Sequence, residues 1–498
     1  MKKFFFIFFV SVSIHAQTQS EPLRYVAPFF SDEKKNFIQA YVNDQLVSSG
    51  IIGASYILVE GTEIKDKKSI NLLGYPYLEN RSLPLGNFSK LLTILACYKL
   101  RDESKLNFEQ KVLEYLPSLK IGSYDKEQFF LVKHLIQSTT GLSLREDRFL
   151  HFAEGGVYQK SSELVKKLKG LDYNRAPDTW YEESHLNTVL LAEIISSVSG
   201  LPFQEFMQEN IFTPLGLEFY YNTKKFRKEG TSIYHYFFSS RAKTNPEESV
   251  EAFLASNKIY GKIEDIGKFI SLQLGELDKE LFSHVTLREI WQSPVKAKFD
   301  ETTSYSGGWF IKELASQQVV YSHFSGKGSC GSIFLYPKEK AGFGIFFPIE
   351  AEPACHELAE GIHSILQGIP PKNISVPARK TVTLFCFFLM IVSFSLLVVV
   401  SLKFDRFFSM LPQPIEEKKD SAKNFSISLV LFLVLFWFCF LFFPNSRLGL
   451  KYTSLPYSDA LFGWLPDLFY SLIFLLFLAL LYVVYFGFKF IRDSSGEI

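Results

Sequence analysis

Three patterns of hydrophobic and polar positions succeed one another along the chain. The first is an apolar run from Phe4 to Ile14 behind the basic start Met1-Lys2-Lys3, followed by His15-Ala16-Gln17. A run this short cannot cross a bilayer as a helix. A basic start, a short apolar stretch and a small residue before polar sequence describe a secretory signal, expected over residues 1–16 with cleavage after Ala16. The second pattern, over residues 17–370, mixes helical and alternating periods. Ser31 is placed to cap a helix in which Phe37, Ile38, Tyr41, Val42 and Leu46 recur at helical spacing. Ile51 to Val59 and Ser69 to Leu73 read as paired strands, with Glu60-Gly61 in their connection. Helical periods dominate from Phe88 to about Leu274, punctuated by Pro117, Gly141, Gly200 and Pro214. Strands return at Gly308 to Ile311, Val319 to His323, Ser332 to Tyr336 and Gly342 to Phe347, and Cys355 to Leu366 closes as a helix. Strands at both ends of a helical middle predict an α/β domain: one antiparallel sheet built from both ends, with a helical lobe inserted.

The third pattern consists of long apolar runs. After a short Pro-containing linker at 371–380, Thr381 to Leu402, Phe425 to Phe443 and Leu468 to Phe488 are uncharged and close to the ~20 residues that cross a hydrocarbon core. All three are expected to be transmembrane helices. Lys403, Arg406, Lys418, Lys419 and Lys423 lie between the first two runs, and Lys489 and Arg492 follow the third, against only Arg447 and Lys451 in the second loop. Basic residues collect on the cytoplasmic side, so the expected arrangement is a multi-pass protein of a bacterial-type cell membrane. Its large N-terminal domain is extracytoplasmic and its C-terminus cytoplasmic. The lipid bilayer is then its first partner. The runs hold no charge to mark a transport pathway, which disfavours a channel or transporter.

Charge narrows the field further. The 53 Lys and Arg and 52 Asp and Glu leave a net charge of +1, so nothing points to nucleic acid. Of five cysteines, Cys386 and Cys439 fall in apolar runs, and Cys97, Cys330 and Cys355 remain for the folded domain. An odd three is no disulfide framework, so the domain is expected to rest on its hydrophobic core.

A series of landmarks runs from about Val47 to Gly368: Leu85-Gly86-Asn87-Phe88-Ser89-Lys90, Leu106 to Pro117, His134 to Leu142, Pro177 to Gly200, Pro214-Leu215-Gly216-Leu217, Glu264-Asp265, Tyr305 to Phe310 and His323 to Ser332. In this order they resemble the serine β-lactamase and penicillin-binding-protein family, in its class C and D-alanyl-D-alanine carboxypeptidase-like branch. The resemblance implies a groove with three elements: a serine and a lysine three residues on, sharing one helix face; a Tyr-x-Asn loop; and a strand bearing Lys/His-x-Gly. Together with backbone N–H groups that hold the oxyanion, these carry acyl-enzyme chemistry.

Set against that pattern, Asn87 stands at the serine position and Lys90 at the lysine. Glu183, Ser184 and His185 replace the Tyr-x-Asn loop, His323 opens the third motif, and Ser325 stands at its glycine. A carboxamide has no ionisable oxygen to form an acyl ester. Ser89 lies roughly 100° around the helix from Lys90, Thr93 reads as core-facing, and the S-x-x-K pairs Ser31/Lys34 and Ser123/Lys126 lie outside the expected place and read as surface. Glu183, His185 and His323 form a residue set that zinc accepts, but Lys90 beside them repels a cation, and neither metal nor cofactor is expected. The expectation is a non-catalytic, membrane-anchored member whose groove residues, Asn87, Lys90, Glu183, Ser184, His185, His323 and Ser325, bind a peptide-like, cell-wall or protein ligand. The alternative is an active hydrolase of peptidase, esterase or β-lactamase type with a non-standard nucleophile. Lys90 is expected to be protonated and paired with Glu183, and able to donate a hydrogen bond to Asn87.

Overall fold

A computed structural model describes residues 28–72, 81–119, 131–142, 161–168, 180–221, 223–230, 254–277, 281–292, 302–314, 317–326, 328–349 and 351–375, short pieces between them, and parts of 384–395 and 471–487. The signal segment 1–16 and the run 425–443 lie outside the described residues. Among those described, no single helix is long and apolar enough to cross a membrane, and Phe474–Val484 forms a shorter apolar helix.

The centre is one antiparallel sheet of eight strands: β1 (Gly53–Glu60), β2 (Glu63–Asn71), β3 (Ala297–Lys298), β4 (Thr303–Ser306), β5 (Trp309–Glu313), β6 (Gln318–Gly326), β7 (Ser329–Tyr336) and β8 (Ala341–Phe347). Their spatial order is β2-β1-β8-β7-β6-β5-β4-β3, so the first strands pair with the last. This is the sheet expected from both chain ends. β1 is buried on both faces, Ile57 and Val59 facing the helical lobe and Ala54, Tyr56 and Leu58 the opposite layer. β2 begins at Glu63 rather than at the expected Ser69. It is an edge strand whose Lys67 and Lys68 are exposed and whose Lys65 and Asp66 are half-buried, so it carries charge and shows no apolar alternation.

Two helices cover one face. α1 (Asp32–Ser49) is capped by Ser31, whose Oγ accepts from Lys34 N at 3.3 Å, and it stops at Gly50, which adopts the left-handed conformation (φ 74°). Phe37 stays half exposed, outside the buried stripe of Ile38, Tyr41, Val42 and Leu46. The C-terminal helix, called α5 below, spans Glu352–Leu366, three residues longer at its start than expected because Pro353 fits the first helical turn. On the other face lies the lobe. Its central helix α2 (Ser89–Asp102) has no Gly or Pro and is buried continuously from Ser89 to Tyr98, with Lys99 and Arg101 at its negative end. α3 (His185–Ser199) packs beside it, and α4 (Ile263–Gln273) lies on β1 and β8. Gly342 and Gly344 allow the approach of α4, since a Cβ there would meet Ile270 at 2.7 Å and Ile266 at 3.0 Å. The lobe also holds a small hairpin, Ser232–Tyr236 with Ser239–Lys243, which the helical reading of that region did not include.

The layer under α5 is rich in aromatic rings and histidines. His323 of β6 and His356 of α5 stack with centroids 3.9 Å apart, and His363 lies against Phe334 and Tyr336. Burial disfavours the imidazolium, so His323 is held well below its ordinary pKa, and His356 and His363 are lowered to about 4. The 3.8 Å contact of His356 with Glu352 therefore joins a neutral imidazole to a carboxyl that burial has pushed upward, and is not an ion pair at neutral pH. In the unfolded chain these histidines protonate near 6.5, while the folded chain resists until about 4, so the unfolded state binds more protons in that window. Stability is expected to fall as the pH drops from about 6.5 to 4, by roughly 1.4 kcal/mol for each pKa unit of depression. The difference in melting temperature between wild type and His356→Phe, followed from pH 7.5 to 4.5, isolates the His356 share from that of the carboxyls. A constant difference across the range would show that His356 is not buried neutral.

Candidate functional site

The site begins with a single 3₁₀ turn, Gly86–Phe88, that feeds α2. Phe88 is fully buried, with its ring 5.6, 5.0 and 5.5 Å from Phe219, Phe269 and Phe324, so the turn is anchored in the lobe and against β6 together. Gly86 sits at φ +54°, and a Cβ on it would lie 2.0 Å from Ser325 O. Only glycine permits that approach of turn to strand. Asn87 is thereby held at the outer edge of β6, where its Oδ1 accepts from Ser325 N at 2.9 Å. The strand N–H, rather than Lys90, is the partner that the carboxamide finds.

Lys90 lies in the first turn of α2, at the positive end of the helix dipole, where a cation needs a carboxylate. Glu183 supplies it: Lys90 Nζ donates to Oε1 at 3.1 Å and Oε2 at 3.4 Å, and the hydroxyl of Tyr181 donates to the same carboxylate. The ammonium also sits 5.5 Å from the centre of the Tyr305 ring, which Tyr181 packs against at 4.2 Å. Burial opposes the charge on Lys90, but the attraction of Glu183 outweighs it and raises the pKa above the ordinary lysine value. For Glu183, burial is likewise outweighed by Lys90 and His185, and its pKa falls below the usual carboxylate value. Both residues are therefore charged at neutral pH.

Other expected residues are placed differently. Ser184 is the N-cap of α3, its Oγ accepting from Leu186 N at 3.3 Å. His185 is the first residue of that helix and lies near enough to Glu183 to favour its ionised form. His323 does not join them. Side chains alternate across a strand, and because Phe324 points toward Phe88 and the lobe, His323 and Ser325 point to the α5 face. There His323 Nδ1 bonds Ser332 Oγ at 2.7 Å, and the Ser325 hydroxyl lies beside the Glu352 carboxyl. Glu183, His185 and His323 are thus not gathered around one point, and among the described residues no group of three His, Cys, Asp or Glu side chains is placed to hold a metal ion. The other hydroxyls are engaged: Ser89 Oγ donates to Ala255 O at 2.6 Å and Thr93 Oγ1 to Ser89 O at 2.8 Å, both buried. Ser31 caps α1, and Ser123 and Lys126 lie outside the described residues.

Sequence reasoning did not assign roles to Tyr305 or Glu352. Tyr305 lies in one of the recognised landmarks and was open to recognition. Glu352 reaches Ser325 only because α5 docks its first turn there, and no motif announces it.

Because Glu183 keeps 30% of its side-chain surface exposed, the Lys90 pair is worth less than a fully buried one. Lys90→Met and Glu183→Gln are each expected to cost about 2 kcal/mol, below the ~3–5 kcal/mol of a sealed pair, with the double variant clearly less than their sum. Thermal melts of the four proteins complete the cycle. Additive losses would mean that the two side chains do not meet in solution.

A model of the β-lactamase family matches residues 37–361. Penicillin-binding protein 4* of Bacillus subtilis is 24% identical over 265 residues, 50% of this chain and 57% of that protein. Protein flp of Staphylococcus aureus is 20% identical over 339 residues, 65% of this chain and 64% of that protein. The matches thus span less than two thirds of these relatives' own lengths. Among solved structures, an octameric penicillin-binding protein homologue from Pyrococcus abyssi superposes with a TM-score of 0.59 at 18% identity, covering 70% of this chain and 81% of that one. A β-lactamase/D-alanine carboxypeptidase from Yersinia pestis gives 0.54 at 16% identity, covering 68% and 100%. At such identities the superpositions speak for the fold alone. The family match over more than half of the chain, on a sheet closed by its own two ends around a helical lobe, establishes that this chain belongs to the β-lactamase family.

Proposed function

We propose that the chain is a membrane-anchored, extracytoplasmic family member without acyl-enzyme chemistry, whose groove between α2 and β6 holds a peptide-like ligand of the cell envelope or a protein segment. The observation that carries this reading is the bond from Ser325 N to Asn87 Oδ1. The residue at the nucleophile's position is a carboxamide, and it occupies a strand-edge N–H of the kind that active members offer to the substrate. The state of Lys90 supports the same reading. A protonated lysine paired with a carboxylate cannot take a hydroxyl proton, so the base is missing along with the nucleophile. A peptide-like ligand fits the names of the relatives, and the anchor rests on the three apolar runs.

Loss of a serine hydrolase nucleophile costs on the order of a millionfold in turnover. The purified chain is therefore expected to show an unchanged intact mass after incubation with penicillins, and no label from a fluorescent penicillin or an active-site phosphonate. Asn87→Ser alone is expected to stay unlabelled at pH 7, because Lys90 remains the charged partner of Glu183. A stoichiometric adduct on any residue near Lys90 in the wild type would overturn the reading.

The anchor places residues 17–380 outside the cytoplasm and Phe404 to Asn424 inside. In a cysteine-free background, a single cysteine in the ectodomain surface should react with an impermeant maleimide on intact cells, and one at Ser421 should react only after permeabilisation. Labelling at Ser421 in intact cells would reverse the topology.

A further inference from the structure

Away from the groove, two cysteines meet beneath the sheet. Cys330 is the second residue of β7 and points to the α5 layer, as do Phe334 and Tyr336 further along the strand. Cys355 lies in the first turn of α5, and both side chains are buried in one apolar cluster. Backbone geometry brings them together. Cys330 Sγ donates to Ile349 O at 3.3 Å, and the backbone of Ala351 lies beside that sulfur. Ala351 is the N-cap of α5, and its carbonyl accepts from Cys355 N at 3.0 Å, so Cys355 stands one turn on along the same helix. Both cysteines carry free thiols in this structure, and the two sulfurs lie near enough to act on one another. Cys97, by contrast, is buried in the separate core of the lobe.

We propose that Cys330 and Cys355 form a disulfide that fastens α5 to β7. The two thiols give up two protons and two electrons, and a disulfide-bearing donor accepts them and is cleaved to its own two thiols. The burial of both sulfurs means that exchange occurs before α5 is fully docked, once the β7–β8 hairpin has brought the partners near. The position has a mechanical consequence. α5 is the last element before the linker to the first apolar run, and its end is already tied to α1 by Lys34 Nζ donating to Leu366 O at 3.2 Å, as is the segment that follows it, with Tyr41 Oη donating to Lys372 O at 2.7 Å and Ile374 N donating to Gln45 Oε1 at 2.7 Å. A bond at the start of α5 fixes the other end of the same helix, so that load from the membrane tether passes into the central sheet rather than peeling the helix away. The inference is independent of what the groove binds.

The test uses the full chain in detergent, equilibrated in glutathione buffers from reducing to oxidising, with mild denaturant so that α5 can undock. Samples are acid-quenched, alkylated in strong denaturant, digested and mapped by mass without reduction. The expected result in oxidising buffer is a linked pair of peptides carrying Cys330 and Cys355, lighter than the two thiol peptides by two hydrogens, with Cys97 alkylated throughout. The alkylation count should fall from five to three of the chain's five cysteines, and return to five with reductant. Cys355→Ser should remove the linked species without creating a bond to Cys97. Full alkylation of both cysteines in the most oxidising buffer, or a scrambled mixture that includes Cys97, would overturn the proposal. Because wild type alone decides between these results, failure of the variant to fold would not obscure them.

Discussion

The site depends on the close contact of one turn with one strand. Gly86 lets the backbone of the turn touch Ser325, and Phe88 fills the space behind it, against two rings of the lobe and one of β6. A buried phenylalanine of this kind holds about 3–5 kcal/mol against truncation, more than any single polar contact nearby. It fixes the start of α2, and with it the distance of Asn87 from the strand and of Lys90 from the loop that carries Glu183. The hydrogen bonds of Asn87 and Lys90 are consequences of that packing.

Within this frame the electrostatics reverse what a lysine in such a position is needed for. Catalytic use of a lysine requires burial without a compensating anion, so that the neutral amine is within reach at physiological pH. Here burial is present, but a carboxylate stands within hydrogen-bond distance, with Tyr181 donating to it from the other side. The ammonium is favoured, and its lone pair is not offered to a neighbour. The carboxylate in the loop thus holds this lysine as a paired cation, while Asn87 takes the N–H of Ser325.

The layer below the sheet belongs to a different problem, that of holding the last helix. Histidine stacking, the Ser325–Glu352 contact and the thiol pair all lie between β6, β7 and the first turns of α5. They couple the strand that carries Ser325 to the first turns of α5.

The sequence by itself determined the strands β1 and β6 to β8, the capped α1, the helical lobe and the Lys90–Glu183 partnership. Each was visible for a local reason: continuous burial, a cap residue, helical period, or a motif in register. What it could not decide was direction across the sheet. β6 reads the same from either face, and only its packing, with Phe324 drawn toward Phe88, turned His323 away from the groove and Ser325 toward Glu352. The charged edge strand β2 was underestimated because pairing with β1, not its own pattern, makes it a strand. Glu352, His356 and the meeting of Cys330 with Cys355 depend on where α5 docks, a contact between segments that carry no mark of one another. Period and propensity act within a few residues, whereas the choice of face and partner is made by the burial of whole elements.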